Sequence, residues 1–137
     1  MAPSPLSIEY ALLGLVYERH RYGYEIFQEL SQPTGLGLIW HNKQSHLYAL
    51  LDRLEKEGWL SAELVHQENR PARKIFSLTP AGRAFFLQWL QTPVRTPREM
   101  RLEFQAKWFF SGRCQAGLQE RLIQVQESEC QKWLIAL

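Results

Sequence analysis

Four leucines in the middle of the chain recur at helical spacing, and they are the strongest constraint on its fold. The four are Leu47, Leu50, Leu51 and Leu54. They fall at positions i, i+3, i+4 and i+7, which places them on one face of an amphipathic helix. Asn42 can accept a backbone N–H bond at the amino end, and Gly58 follows the last turn, where a left-handed residue is common. The pattern predicts a helix over residues 43–57.

A hairpin follows this helix. Residues 59–68 and 73–79 read as two strands that are joined by a turn at residues 69–72. Phe76 and Leu78 alternate with polar residues, as expected in a half-buried strand.

Positive charge is concentrated on the hairpin. Between residues 66 and 83 four cations stand against one acid, Glu68, in a chain whose net charge is only +2. The four cations are Arg70, Arg73, Lys74 and Arg83. Thr79 and Pro80 then supply an N-cap and a first-turn proline for a helix over residues 80–90.

Two further helices are predicted before the leucine helix. The first covers residues 6–18 and carries Ile8, Leu12, Leu15 and Val16 at helical spacing. The second is marked by Ile26, Phe27 and Leu30. Residues 20–24 form a short polar connection, in which we interpret Tyr22 and Tyr24 as packing residues. The result is a mainly α fold with a small β-hairpin, in the order of a winged helix-turn-helix.

A linker at residues 91–97, bracketed by prolines, separates this unit from a helical tail. We therefore divide the chain into a winged helix-turn-helix DNA-binding domain at residues 1–91 and a helical dimerisation tail at residues 92–137. The tail helices have apolar faces that need a covering partner. The residues assigned to dimerisation are Phe104, Trp108, Leu118, Leu122, Val125 and Trp133. A two-fold homodimer that exchanges tails would cover them, and packing within the chain against the first helix is the alternative.

Length and composition favour a small intracellular protein. The 137 residues, 45% of them hydrophobic, suffice for one winged-helix core and an extension. The apolar runs are too short for a membrane span and the amino end lacks a secretory pattern, which predicts a cytoplasmic protein with no membrane partner. Cys114 and Cys130 stand alone, as expected for reduced thiols.

No catalytic or metal-binding pattern stands out in the sequence. The four histidines lack the spacing of metal ligands, and Asp52 is the single aspartate. A glycine-rich phosphate loop and a Gly-x-Ser-x-Gly elbow are both missing from the sequence. We therefore expect no enzymatic activity, no cofactor and no metal.

In a winged-helix protein that reads DNA, the exposed side of the leucine helix enters the major groove. The candidate contacts on the helix are Lys43, Gln44, Ser45, His46 and Arg53, and those on the hairpin are Arg70, Arg73 and Lys74. Gln44 is suited to adenine edges, Lys43 and Arg53 to phosphates, and the hairpin cations to the backbone or the minor groove. An ordinary helix-surface pair between Arg53 and Glu57 is the alternative for Arg53.

Four separated pieces of the sequence, in order, resemble the PadR family of bacterial transcriptional regulators. They are the LLGLV helix, Tyr22-Gly23-Tyr24-Glu25, the Leu47-Tyr48 helix ending in Leu54-Glu55-Lys56-Glu57-Gly58, and Leu78-Thr79-Pro80-Ala81-Gly82. The segment from Trp89 to Lys107 also resembles the branch of the family that has a separate dimerising tail. Ala49 departs from the family pattern, in which a proline often follows the tyrosine.

The resemblance implies a dimeric regulator, usually a repressor, that reads a pseudo-palindromic operator in double-stranded DNA. It also implies a contact between Tyr48 and the DNA backbone. Family members respond to phenolic compounds or drugs, so the resemblance further implies a small aromatic effector. The alternative is a winged-helix module that binds other proteins, because a net charge of +2 is low for a DNA-binding chain.

Overall fold

The computed structural model describes residues 4–33, 35–40 and 43–137. These residues form six helices, three strands and two short 3₁₀ turns. In chain order they are α1 Ile8–Glu18, β1 Arg21–Tyr22, α2 Gly23–Leu30, a 3₁₀ turn Gly35–Leu38, α3 Gln44–Lys56, β2 Leu60–Gln67, β3 Arg70–Leu78, α4 Pro80–Gln91, a 3₁₀ turn Pro97–Glu99, α5 Met100–Cys114 and α6 Leu118–Ile135. This order confirms the predicted mainly α architecture with a winged helix-turn-helix and a helical tail.

Helix α1 lies at the centre of the fold because nearly all of its surface is apolar. Nine consecutive residues, from Ile8 to Val16, are buried. A helix that is apolar all round must be covered on every side. Helices α3, α4 and α5 and strand β3 all contact it, so the winged-helix elements and the tail share one core.

The sheet has three strands, where the sequence predicted two. Its order is β1-β3-β2 and both pairings are antiparallel. In β1, Arg21 pairs with Phe76 and Tyr22 with Ile75. The prediction of a polar connection over residues 20–24 is therefore wrong at β1, since a two-residue strand is too short to show an alternating pattern.

The turn of the hairpin is tighter than predicted. Strands β2 and β3 approach each other until Gln67 pairs with Arg70, which leaves only residues 68–69 between them. Asn69 adopts a φ of 60°, a left-handed conformation that asparagine tolerates better than most residues. The predicted four-residue turn is wrong because Pro71 lies within β3, beside a register irregularity between Val65 and Gln67, where a missing N–H is tolerated.

The boundaries of α3 and α4 follow their local signals. Helix α3 is one residue shorter at each end than predicted, Gly58 follows it with a φ of 85°, and the predicted cap Asn42 lies outside the described residues. At α4 the Thr79 hydroxyl accepts a bond from the Gly82 N–H at 3.0 Å, and Pro80 occupies the first turn. Both features of the predicted start of α4 are confirmed.

The tail packs on the winged-helix elements of the same chain. The Phe110 ring lies so close to Gly14 of α1 that a β-carbon there would overlap it, and its edge meets the Phe86 ring of α4 at 5.4 Å between centroids. Leu118 and Leu122 of α6 are also buried within the chain. The expectation that the chain cannot cover the apolar faces of its tail is therefore wrong for these two leucines, and α5 packs against the first helix, the alternative that the sequence left open.

A buried ion pair joins the tail to the linker. The Lys107 ammonium donates to Glu103 Oε2 at 2.6 Å and to the Thr92 carbonyl at 2.6 Å, and both charged side chains are almost fully buried. Burial lowers the pKa of Lys107, and the hydrogen bond to Glu103 opposes that shift. The Gln126 amide accepts from the Val94 N–H and donates to the Val94 carbonyl, so the linker is held at two points.

Removing one partner of this buried pair should be more harmful than removing both. We expect Glu103→Gln to lower the free energy of unfolding by about 3–5 kcal/mol, because it leaves the Lys107 charge buried without its counter-ion, and the double change Glu103→Leu with Lys107→Met to recover most of the loss. Urea unfolding, monitored by circular dichroism, measures both variants.

The pH dependence of the single variant provides a further check. A lysine whose pKa in the folded chain lies below its unfolded value binds more protons when unfolded, over the pH range between the two values. Stability should therefore rise with pH in that range. In Glu103→Gln this rise should be steeper than in the unaltered chain. Equal stabilities of the single and double variants would contradict the assignment.

Candidate nucleic-acid interface

The surface of α3 is divided into a buried and an exposed side. The four leucines at 47, 50, 51 and 54 are buried. The predicted contact residues at the amino end of the helix all lie on the surface, and they are Lys43, Gln44, Ser45 and His46. The exposed side continues along the helix through Ser45, Tyr48 and Asp52, which recur at helical spacing. The first turn of α3 therefore presents polar groups to solvent.

Tyr48 and Gln44 are coupled on this exposed side. The Gln44 amide donates to the Tyr48 hydroxyl at 3.0 Å, one helical turn away. The Tyr48 ring also covers Gly23 at the start of α2, where an added β-carbon would come within 2.9 Å of the ring. Gln44 and Tyr48 are thus oriented by each other and by the amino end of α2.

A cavity of about 570 Å³ opens between α2, α3 and β3. Its lining residues are Tyr22, Gly23, Tyr24, Tyr48, Leu51, Asp52, Arg73, Lys74 and Phe76. The Tyr22 and Tyr24 rings stack at 5.7 Å, and the Arg73 guanidinium lies over the Tyr24 ring at 4.9 Å. Tyr24 thus packs against Tyr22 and Arg73, as the sequence indicated, but it does so at the surface, where it is 37% exposed. No local pattern in the sequence indicates this cavity, because it forms between distant segments.

The start of α2, which carries these tyrosines, is fixed by Glu25. The Tyr22 N–H donates to Glu25 Oε1 at 2.9 Å, and Arg19 donates to Oε2 at 3.2 Å. The backbone hydrogen bond from Tyr22 is the main cause that lowers the pKa of Glu25 below its usual range. An ionised Glu25 therefore caps the helix at neutral pH.

Arg53 lies on the side of α3 that faces α1. Its guanidinium forms an ion pair with Glu9 of α1 and a second one with Glu57 at 3.7 Å. The pair with Glu57 is the alternative that the sequence left open, whereas the pair with Glu9 joins residues too distant in the chain for a local pattern. The structure thus brings Arg53 next to two carboxylates.

Lys74 is also held by carboxylates. Its ammonium lies 2.9 Å from Glu55 Oε1 and 3.4 Å from Asp52 Oδ1, both on α3. The hydrogen bond to Glu55 is the main cause that raises the pKa of Lys74 above its ordinary value. Lys74 is therefore charged, and it ties the wing, which is the hairpin of β2 and β3, to α3.

Arg70 and Arg73 occupy different parts of the wing. Arg70 is exposed at the start of β3, beside the left-handed Asn69, whereas Arg73 is half-buried against Tyr24. Tyr48, which accepts a hydrogen bond from Gln44, lines the tyrosine-lined cavity together with Arg73 and Lys74 of the wing. Polar groups suited to base edges and cations suited to phosphates thus lie on one side of the molecule.

The described residues offer neither a metal site nor a membrane span. Among residues 4–33, 35–40 and 43–137, no three His, Cys, Asp or Glu side chains are grouped so that they could hold a metal ion. Over the same ranges, none of the helices combines the length and the apolar character that crossing a membrane requires.

The architecture and the exposed helix beside a basic wing define the class of the protein as a winged helix-turn-helix. The model of the transcriptional regulator PadR-like family matches residues 12–88, more than half of the chain. The chain belongs to this family. Its relatives are transcriptional regulators rather than enzymes.

Individual relatives agree with this assignment. The negative transcriptional regulator PadR of Bacillus subtilis is 29% identical over 103 residues, which cover 75% of this chain and 56% of that protein. The crystal structure of Bacillus subtilis PadR in complex with operator DNA superposes with a TM-score of 0.61 and 28% identity, over 77% of this chain and 58% of that one. The crystal structure of smu.1604c from Streptococcus mutans superposes over 93% of this chain and 73% of that one, with a TM-score of 0.56 and 28% identity.

The match covers a larger share of this chain than of its relative. The chain spans only about half of the Bacillus subtilis regulator, 56% of its residues. The family model covers the winged-helix elements and ends at residue 88, before α5 and α6.

Proposed function

We propose that this chain is a DNA-binding transcriptional repressor that acts as a homodimer on a pseudo-palindromic operator. The observation that carries the proposal is the exposed polar first turn of α3 beside a basic wing, in a chain of the PadR-like family. In this proposal, residues 1–91 bind DNA and residues 92–137 form the dimer. Because duplex DNA is its partner, the protein is proposed to act in the cytoplasm.

The first turn of α3 is the element that enters the major groove. The groove is wide enough for a helix and displays a different set of donors and acceptors for each base pair. Gln44 can pair with an adenine edge, and Ser45 and His46 can reach either bases or phosphates. Lys43, which is exposed at the N-cap, contacts a phosphate, and so does the Tyr48 hydroxyl.

The wing supplies contacts to the DNA backbone. Arg70 is exposed at its tip, and an arginine in this position can follow the phosphates or enter a narrow minor groove. Arg73 and Lys74 lie closer to α3, where the tyrosines and carboxylates orient them. Arg53 is ion-paired with Glu9 of α1, so its role in the proposal is restricted to an adjacent phosphate.

Two similar proteins support this role, although this chain matches only part of their length. The Bacillus subtilis relative is a negative transcriptional regulator, and the corresponding crystal structure contains operator DNA. Both resemble this chain over about three quarters of its length.

The tail is the proposed site of dimerisation. Trp108, which stacks on Phe104 at 6.0 Å, is 39% exposed, and Ile123 is 47% exposed. Val125 and Trp133 are half-buried on the same helix as Ile123. An isologous contact through these side chains covers apolar surface and presents two copies of α3 to successive half-sites. Leu118 and Leu122 support the tail from within the chain instead.

A small aromatic effector is proposed on the basis of a second cavity. This cavity has a volume of about 510 Å³, which is suited to a small molecule. It is lined almost entirely by apolar residues, namely Gly35, Leu36, Leu38, Ile39, Phe104, Gln105, Trp108, Phe109 and Ile123. A ligand bound there would contact the surface proposed for dimerisation and could therefore change the spacing of the two α3 helices.

Removing the wing cations should weaken DNA binding without unfolding the protein. The probe is a labelled duplex that the unaltered protein selects from a random library. We expect Arg70→Ala with Arg73→Ala to bind it roughly tenfold more weakly near physiological salt. The dependence of log K on log salt should become shallower by about 0.9 for each phosphate that the variant no longer neutralises. Fluorescence anisotropy at several salt concentrations measures both quantities.

The matched control removes two exposed arginines from the tail, Arg98→Ala with Arg101→Ala, which lowers the net charge equally. If the control weakens binding as much as the wing variant does, the wing assignment is wrong. If the unaltered protein selects no duplex even at low salt, the DNA-binding function is contradicted in favour of a protein-interaction module.

The dimer should depend on Trp108. We expect Trp108→Glu to shift the sedimentation coefficient from that of a dimer to that of a monomer, because a buried carboxylate without a partner disfavours the apolar contact. Leu64→Glu makes the same kind of change at an exposed position of the wing and should leave the dimer intact. A monomeric unaltered protein would contradict the proposal.

A bound effector should quench the fluorescence of Trp108, which lines the second cavity. Titration with small aromatic compounds should give saturable quenching that Trp108→Phe removes and Trp59→Phe retains, because Trp59 stacks on Phe85 in the winged-helix core. Quenching that is linear in ligand concentration for every compound would contradict the effector site.

A further inference from the structure

Two carboxylates of α3 form ion pairs with Lys74, which is one of the wing cations proposed to contact DNA. Glu55 Oε1 and Asp52 Oδ1 both lie within ion-pair distance of the Lys74 ammonium, at 2.9 Å and 3.4 Å. All three side chains remain partly exposed, at 31%, 55% and 41%. The arrangement is therefore a surface cluster that solvent and other anions can reach.

Asp52 lies on the side of α3 that faces the proposed DNA. It follows Tyr48 by one turn and Ser45 by two, and it lines the cavity between the helix and the wing. A carboxylate at this place repels phosphates unless a cation neutralises it. Lys74 is the cation that does so.

Lys74 cannot keep these contacts and neutralise a phosphate to the same extent. The lysine ammonium is a compact charge with three donors. A phosphate that approaches it must displace Glu55 or Asp52 or accept their repulsion at short range. The carboxylates and the DNA backbone thus compete for one ammonium group.

From this geometry we propose that Asp52 and Glu55 act as an intramolecular competitor that weakens the binding of non-operator DNA. The inference rests on the proposed DNA-binding function. Binding to non-operator DNA depends almost wholly on phosphate contacts, so it loses the contribution of Lys74. Binding to an operator is fixed instead by base contacts from the first turn of α3, so it depends less on a phosphate at Lys74. The two carboxylates therefore increase the ratio between operator and non-operator affinity.

The test neutralises the two carboxylates while keeping their shape. The probe is a labelled duplex of mixed sequence, compared with a duplex of equal length that the unaltered protein selects. We expect Asp52→Asn with Glu55→Gln to bind the mixed duplex about threefold to tenfold more tightly at low salt. The slope of log K against log salt should steepen by about 0.9, because Lys74 then neutralises one more phosphate. The increase in affinity for the selected duplex should be smaller, so the specificity ratio falls.

Two further variants separate this mechanism from a general effect of charge. Glu120→Gln with Glu127→Gln removes two exposed acids from α6 and changes the net charge equally, and it should not tighten binding to the same extent. Adding Lys74→Ala to the neutralised variant should abolish its increased affinity, whereas Lys74→Ala in the unaltered chain should weaken binding to the mixed duplex, because it leaves Asp52 and Glu55 without their counter-ion. Circular dichroism confirms that each variant is folded, and Glu55→Gln alone replaces the double variant if the latter unfolds.

The outcomes distinguish the inference from the function on which it rests. The competition does not exist if the unaltered protein binds the selected duplex but the neutralised variant binds the mixed duplex no more tightly. It does not exist either if the neutralised variant keeps its increased affinity after Lys74 is replaced by alanine. If the control pair on α6 tightens binding as much, the effect is one of net charge, and the inference is again wrong. If neither the unaltered protein nor the neutralised variant binds any duplex, the DNA-binding function itself fails.

Discussion

The burial of α1 on every side is the constraint on which the rest of the structure depends. Because the helix has no polar stripe to turn towards water, the winged-helix elements and the tail must both pack on it. Gly14 makes this possible on the tail side, since the absence of a side chain lets the Phe110 ring approach the helix backbone. The positions of the proposed DNA-reading surface and of the proposed dimerisation surface are consequently set by one common element.

Much of the winged-helix fold could be predicted because its signals are local. The four leucines at helical spacing determine α3, and Thr79 with Pro80 determines the start of α4. Strand β1 and the two-residue turn could not be predicted in this way. The first depends on pairing with residues more than fifty positions away, and the second depends on the tolerance of one asparagine for a left-handed backbone. Periodicity describes a single element and carries no information about its partner.

The same limit applies to the tail and to the candidate site. The spacing of Leu118 and Leu122 correctly indicates an apolar face, but it cannot tell whether the same chain or a second copy covers that face. Cations suited to phosphate were identifiable on the wing, and so was the local pair of Arg53 with Glu57. The contacts of Lys74 with Glu55 and of Arg53 with Glu9 were not identifiable, because each joins two different elements. The sequence therefore indicates the residue types of the site, and the fold decides which of their charges are available.

The short strand β1 has a mechanical consequence for the wing. It is hydrogen-bonded only to the base of β3, at Ile75 and Phe76. The outer part of the hairpin, beyond the irregularity between Val65 and Gln67, consists of two strands alone, a structure of marginal stability in water. The base of the hairpin is therefore supported by a third strand, whereas its outer end is not. In the proposed complex with DNA, the end of the hairpin can bend to suit grooves of different width while its base keeps a fixed angle to α3.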